Sequence, residues 1–471
     1  MSYAYALIYG AAAIAGFSAF AAVVRAYFAR VAADGGTTVD KQHAQEIYTD
    51  TNPYDPTLIQ SCDSGKATVL YNIEPDDSDF TVDRNSTKYV LGSGGTIVSY
   101  PTDEPAFEFN ADGTYKGLLV EPAATNICLQ SEDITTTWTT SGTATRTANA
   151  TTAPDGNTTA DKLSDNGGGG TNDVLLYQTI TVSAATKYTA SVFLKADPDG
   201  LSFARLQAND YDGTTDGFQY FGLSGDGSLG TASGLDDSSI TAYPDGWYRC
   251  TITWTQGAAD TSFAFRIYLA DSISNILVNL DGTSSIFVWG AQVEASPIAT
   301  SYIPTTTASV TRVKDDITQT GAQSLIGQTE GTLYVEVDWR RATGTFQHLL
   351  SANNGTANNR FVIYNNNSPV ELRMFAQSDN SIKTDQGVSS TGFSGIQKIA
   401  FAYADADFEL YRNGSSVSSD TVGSLASLGT LTDIDLGQAY NASGQANMWI
   451  RAVALYPTRL SDAECEALTT L

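Results

Sequence analysis

Redox and transition-metal chemistry find little to work with in this chain, which holds four cysteines and two histidines among 471 residues. Cys62, Cys128, Cys250 and Cys465 are far apart and form no C-x-x-C pair, which argues against a zinc site, and a chain this long needs no disulfide framework. Cys128 sits in the apolar run Ile127-Cys128-Leu129 and Cys250 in YRCTITW, so both are expected to be small buried hydrophobes. His43 and His348 have no neighbours that would make a catalytic triad or a metal cluster. Positive charge is scarce too: 25 Lys and Arg face 52 Asp and Glu, a net charge of −27. That balance excludes nucleic acid as a partner, because phosphate binding needs clustered cations. It favours solubility and leaves room for calcium in acidic loops.

What is abundant is glycine, serine, threonine, asparagine and aspartate, with many aromatics, a mixture suited to short strands joined by tight turns. The chain is long enough for two or three domains with full cores. The predicted class is mostly β: two tandem β-sandwiches preceded by one long apolar N-terminal helix.

That helix is predicted over residues 1–35, where no charged residue occurs between Tyr3 and Val24. A helix over this run is about 33 Å long at ~1.5 Å per residue, close to the ~30 Å core of a bilayer. Tyr3 and Tyr5 at one end and Tyr27 and Phe28 at the other suit an interface, and Arg25 can snorkel. Ala11, Ala15 and Ala19 form a small-residue stripe that lets helices approach closely, although an alanine-rich helix also shows such spacing by chance. Three environments remain open: lipid, a protein socket or helix bundle, and a cleaved signal, the last disfavoured because no cation precedes the run. Arg25 and Arg30 on the C-terminal side conflict with an outward-facing C-terminus, which weakens a simple cell-membrane reading.

Gly35-Gly36 ends the helix, and residues 36–75 read as a connector with a second short helix at Val39–Tyr48 and a first strand, VLYNI, near its end. Residues 76–315 are assigned to a first sandwich, with VLLYQTITV, KYTASVFLKA, FARLQAND, WYRCTITWT, FAFRIYLA and SIFVWGAQVE as strands at regular spacing. Trp247, Trp254 and Trp289 supply core bulk there, or else a sugar-stacking platform. Asp210, Asp212 and Asp216 share one loop and are a calcium candidate, although the spacing and the bidentate Glu of an EF-hand are missing. No other cofactor is implied.

Several words in this region, taken together, resemble a module of bacteriophage virion proteins of the tail-fibre and head-fibre type. They are Phe80…Arg84-Asn85-Ser86-Thr87…Tyr89-Val90, Gly95-Thr96-Ile97, Pro105-Ala106-Phe107 and GLLVEPAATN (117–126). SVFLKA (191–196), DGWYR (245–249) and WGAQVEASPIATSYIPTT (289–306) complete the set. The resemblance covers roughly half of the chain and implies a jelly-roll sandwich.

Residues 316–471 are assigned to a second sandwich, entered through a linker at Thr311 to Gly331. GTLYVEVDWRR alternates cleanly, with Leu333, Val335, Val337 and Trp339 on one face and Tyr334, Glu336, Asp338 and Arg340 on the other. Asn413-Gly414 marks a hairpin turn, and Ser461 with Glu464 a capping box, with Leu460 packing on Cys465. KIAFAYADADFELYRNG and ALYPTRLSDAECEALT resemble concanavalin A/laminin-G-like sandwiches. Glycoside hydrolases on that architecture place carboxylates at E-x-D-x-x-E or E-x-D-x-E. Glu336 and Asp338 match the first two positions, but Arg340 and Arg341 follow where the acid partner belongs. No enzymatic activity is therefore expected.

The resemblance implies a virion fibre, spike or decoration protein on the particle exterior. Residues 1–35 would contact other virion proteins or lipid, trimeric association is favoured, and host-surface glycan is an expected ligand. The alternative is a membrane-anchored or secreted cellular carbohydrate-binding protein.

Overall fold

The computed structural model describes residues 69–72, 80–340, 346–391, 393 and 395–471. The apolar segment 1–35, with Ala11, Ala15 and Ala19, and the short helix expected at Val39–Tyr48 lie outside the described residues. Within them the chain is almost entirely antiparallel β, with one α-helix, Asp462–Thr469. No helix among the described residues is long and apolar enough to cross a membrane.

Four large sheets pair into two cores. An eight-stranded sheet runs in the order Ser415–Asp420, Asp407–Arg412, Gly395–Ala404, Gly331–Trp339, Met448–Tyr456, Tyr115–Val120, Phe107–Phe109, with Val69–Asn72 also on Met448–Tyr456. A seven-stranded sheet runs Thr81–Asp83, Asp316–Gln319, Asp433–Leu436, Gln347–Asn353, Arg360–Asn367, Val370–Ser378, Ser381–Ser389. Inward residues of both sheets, among them Val82, Phe107, Leu118, Val335, Phe361, Met374, Phe401 and Ile450, share one core. Two six-stranded sheets built from residues 139–294 enclose a second core around Leu176, Val192, Leu206, Ile252, Trp254, Phe265 and Val288.

The order of strands corrects the boundary expected at 315/316. Thr81–Asp83 pairs with Asp316–Gln319, and Tyr115–Val120 pairs with Met448–Tyr456. The first strands after residue 68 therefore complete the C-terminal sandwich, and the six-stranded pair is inserted between them and the rest. The insert is entered by Ala124–Asn126 and left by Val310–Arg312, two strands paired to each other with Asn126 opposite Val310. Period-2 patterning reports which face of a strand is buried, but not which distant strand it pairs with.

The resemblance words sit at this neck. Glu121 of GLLVEPAATN is fully buried and meets Lys88 Nζ at 3.2 Å and Arg312 Nη2 at 3.5 Å. Asp315 takes Lys88 Nζ at 2.7 Å and Arg84 Nη1 at 3.0 Å. Burial raises the Glu121 carboxyl, but Arg312, Lys88 and Arg340 outweigh it and hold the group well below its ordinary value. Asn126 uses all four hydrogen-bonding positions. Its Nδ2 donates to the Ala291 and Ile303 carbonyls, and its Oδ1 accepts from the Cys128 and Val293 amides. The hairpin Lys88–Leu91/Ile97–Tyr100 wedges between the sandwiches: Val90 packs with Leu119 and Trp449, and Ile97 with Phe193, Trp247, Trp289 and Tyr302.

Local expectations are met at several points. Leu333, Val335, Val337 and Trp339 face the core, although their strand lies in the middle of its sheet and Tyr334 and Glu336 on its other face are buried too. Asn413 and Gly414 both have positive φ (47° and 82°) and join Arg412 to Ser415 as a two-residue hairpin turn. The capping box of Ser461 and Glu464 is formed. Cys128, Cys250 and Cys465 are free and buried; burial raises all three thiols, Cys465 to about 12.

Candidate functional site

The sites expected from sequence are largely structural. Glu336 is buried against Arg451 (2.7 Å) and Lys398 (3.9 Å), an ion-pair position beneath the sheet surface. Trp247, Trp254 and Trp289 are all buried to within 1% of full burial, so none offers a ring face to a sugar. Their NH groups are used internally, Trp247 on the Thr152 carbonyl, Trp254 on Gln256 and Trp289 on Thr159. In the hairpin carrying Asp210, Asp212 and Asp216, the Asp210 amide donates to Asp216 Oδ1 at 3.1 Å, while Asp212 lies opposite Thr215. Among the described residues no group of three His, Cys, Asp or Glu is arranged to hold a metal ion, so the calcium candidate is not assembled.

A different surface collects aromatic and planar polar side chains: the outer face of the seven-stranded sheet. In RFVIYNNN, Phe361 and Ile363 point to the core, which sends Arg360, Val362 and Tyr364 outward. In VELRMFAQS, Leu372, Met374 and Ala376 point inward, which sends Glu371, Arg373 and Phe375 outward. Antiparallel register then lines them up. His348 lies opposite Tyr364 and Tyr364 opposite Arg373; Val362 lies opposite Phe375 and Phe375 opposite Asp385; Asn353 lies opposite Arg360 and Arg360 opposite Gln377. Arg373 has room to lie flat because its cross-strand neighbour is Gly387, where an added Cβ would come within 2.5 Å of Arg373 Cγ.

Two rings stack on Tyr364. Phe346 and Tyr364 have centroids 5.9 Å apart and planes 26° apart, and His348 and Tyr364 are related by 5.8 Å and 27°. Phe346 is 53% exposed, an unusual position for a phenyl ring. Phe375 meets Tyr364 edge-on at 6.4 Å, and the Arg360 guanidinium lies 4.8 Å from Phe375 and 5.4 Å from Tyr440. Asp385 Oδ1 accepts from Tyr364 OH (2.8 Å) and Arg373 Nε (2.8 Å), and Glu371 takes another arm of Arg373. Burial and the nearby Arg360 push His348 down to about 4, so its imidazole is neutral near pH 7, and Nδ1 is buried without a partner.

Beneath one edge of this face lies Asp435, 4% exposed. Burial pushes its carboxyl up to about 7, Asp316 and Asp433 add to the rise, and a 2.5 Å bond from Asn353 opposes it. The face thus offers what a pyranose needs, an exposed ring for its C–H side and planar hydrogen-bonding groups around it. The signal was present in the strands themselves, as R-x-V-x-Y and E-x-R-x-F on their non-core faces, but it emerges only once both strands are placed side by side.

No family model matches the chain, and no curated protein matches it in sequence. Among solved structures it is similar to the CBM40 of Ruminococcus gnavus IT-sialidase, at 19% identity and a TM-score of 0.27 over 31% of this chain and 86% of that one. It is also similar to a botulinum neurotoxin type C structure described by its interaction with two ganglioside molecules. There the identity is 12% and the TM-score 0.28, over 33% of this chain and 39% of that one. A mutant of NanB sialidase from Streptococcus pneumoniae matches at 18% identity and a TM-score of 0.26, over 31% of this chain and 24% of that one.

Proposed function

We propose that this chain is a non-enzymatic display protein that binds a host-surface saccharide through the outer face of its seven-stranded sheet. One observation carries this reading: the half-exposed Phe346 stacks on Tyr364, which stacks in turn with His348 and donates its hydroxyl to Asp385 of the Arg373–Asp385 pair. A sugar stacked on that ring finds guanidinium, carboxylate and phenol groups within reach of its hydroxyls. The display setting is a virion fibre, spike or decoration, and it rests on the resemblance words at the neck and in the insert. In that setting the insert is a jelly roll, the outer sandwich is concanavalin A/laminin-G-like, residues 1–35 attach the chain to the particle or its lipid, and the assembly is a trimer.

A glycan array probed with the full chain tests the binding. Defined saccharides are expected to give signal, and Phe346→Ala, at the exposed ring, is expected to abolish it without lowering the melting temperature. Absence of any signal from the wild-type chain would overturn the reading. Mass spectrometry of purified particles, with the protein at fixed copy number, separates the virion from a cellular setting, and light scattering reads the trimer.

A further inference from the structure

The insertion topology creates a second concave site that the sheet face does not use. Where the insert strands Asp237–Ala242 and Trp247–Thr255 approach the outer strands Tyr115–Val120 and Met448–Tyr456 there is a cavity of about 320 Å³. That is within the range of small-ligand pockets. Its lining includes three cations, Lys116, Arg249 and Arg340, against two carboxylates, Glu108 and Asp237, in a chain whose net charge is −27. Two of the cations lie on one indole: Lys116 Nζ is 3.6 Å and the Arg340 guanidinium 4.4 Å from the Trp449 ring centroid. Glu108 is held by the same residue, accepting from Trp449 Nε1 at 2.8 Å.

The floor is more telling than the walls. Arg249 is only 7% exposed; its Nη2 donates to Ser191 Oγ at 3.0 Å, and its Nε has no partner. A separate void of about 10 Å³, room for about one water-sized atom, shares Arg249, Tyr243, Glu108 and Arg340 with the cleft and also touches Tyr302 and Ser301. Ser301, 6% exposed, is turned to Glu121, whose Oε1 accepts from its amide at 2.8 Å. A buried donor left open at the base of the cleft, Arg249 Nε, is costly unless something occupies it. The carboxylates near Arg249 are otherwise engaged. Glu294, raised by burial, accepts from Gln292 and from the amide and hydroxyl of Thr300, and Glu108 holds Trp449. Arg340 spends Nη1 on the Ala299 carbonyl (3.2 Å), Asn447 (3.4 Å) and Glu121 (3.5 Å), which fixes its guanidinium at the cavity wall.

We propose that this cleft binds a carboxylate-bearing monosaccharide unit, its carboxylate directed at Arg249. A carboxylate supplies the acceptor that Arg249 Nε lacks, and the hydroxyls of Ser238, Ser239, Thr251 and Thr253 on the insert wall face those of the sugar. The cleft exists only because one sandwich is inserted in the other. Its ligand is therefore read by both at once.

The test titrates the full chain with glucuronic acid, N-acetylneuraminic acid and the methyl ester of glucuronic acid, followed by ligand-observed NMR and calorimetry. At least one of the acids is expected to bind and the uncharged ester not. Arg249→Lys and Arg340→Gln are expected to weaken binding about tenfold or more, as for a lost charged hydrogen bond. A melting temperature unchanged in at least one of these variants separates ligand loss from unfolding. Phe346→Ala, on the sheet face, is expected to leave this binding intact, so the two sites fail independently. The proposal is overturned if neither acid binds, if acid and ester bind equally, or if both arginine variants bind as the wild type does.

Discussion

Asp435→Asn is expected to stabilise the protein, and to do so in a pH-dependent way. In the folded chain the carboxyl is buried under Asn353 with Asp316 and Asp433 close enough to oppose its charge, and it titrates at about 7 rather than near 3.8. Between those two pH values the unfolded chain has lost this proton while the folded chain keeps it. Raising the pH therefore favours unfolding, at ~1.4 kcal/mol per pH unit. Across that window the accumulated cost is about 4 kcal/mol, fully present above pH 7 and absent below pH 4. Asparagine has no charge to bury, and its carbonyl oxygen can still accept from Asn353 Nδ2. Allowing about 1 kcal/mol for imperfect pairing of the new amide, the variant should exceed the wild type by roughly 2–4 kcal/mol at pH 8. At pH 4 the two should be nearly equal. Urea unfolding at pH 4, 6 and 8 reads the difference directly, since all other titrating groups cancel between the two proteins. A difference that stays flat with pH, or a wild type that gains on the variant as pH rises, would refute the reasoning.

Two further substitutions probe the insert and its neck. Glu121→Gln leaves Lys88 and Arg312 buried at the neck with one carboxylate, Asp315, between them, and should destabilise by about 3–5 kcal/mol in thermal or urea unfolding. Trp254→Ala empties the centre of the insert core, where the indole meets Tyr188 and Phe263, and should also remove about 3–5 kcal/mol. Its effect on saccharide binding at the sheet face should be small, because that core is not the outer one.

How much was legible in the sequence depends on the range of the interaction involved. Turns and caps are local, so Asn413-Gly414 and Ser461/Glu464 could be placed from a few neighbouring residues. Strand faces are nearly local, and the alternation in GTLYVEVDW correctly picked Leu333, Val335, Val337 and Trp339 for the core. Strand partners are not local at all: nothing in FTVD or KGLLV announces pairing with segments more than two hundred residues away. The site suffered from the same limit. Phe375, Tyr364 and His348 come from three strands, and Arg249 and Trp449 from two sandwiches, so each looked like ordinary strand content in its own segment. Arg340 breaks a catalytic spacing in the sequence, whereas in the structure it is a wall of the cleft.

The interleaved topology has a consequence that truncation can test. A fragment beginning at residue 316 contains most of the outer sandwich but lacks Thr81–Asp83, Phe107–Phe109 and Tyr115–Val120. It loses Val82, Phe107, Leu118 and Val120 from the core, each no more than 6% exposed. At about 1.5–3 kcal/mol for each buried side chain, the loss is roughly 6–12 kcal/mol, comparable with the whole stability of an ordinary domain. It also leaves the edges of Asp316–Gln319 and Met448–Tyr456 unpaired, an invitation to aggregate. The opposite cut should be tolerated better. Asn126 and Val310 face each other across a strand pair, so residues 127–309 can be replaced by a two-residue Asn-Gly turn without moving either end. That excision uncovers Ile97, takes the Ser301 amide from Glu121 and removes all four partners of Asn126, which then borders a solvated turn, losses smaller than those of the fragment. Circular dichroism and urea unfolding of both proteins decide the matter. The excised chain should unfold cooperatively and the 316–471 fragment should not, and a cooperative, soluble 316–471 fragment would refute the pairing described here.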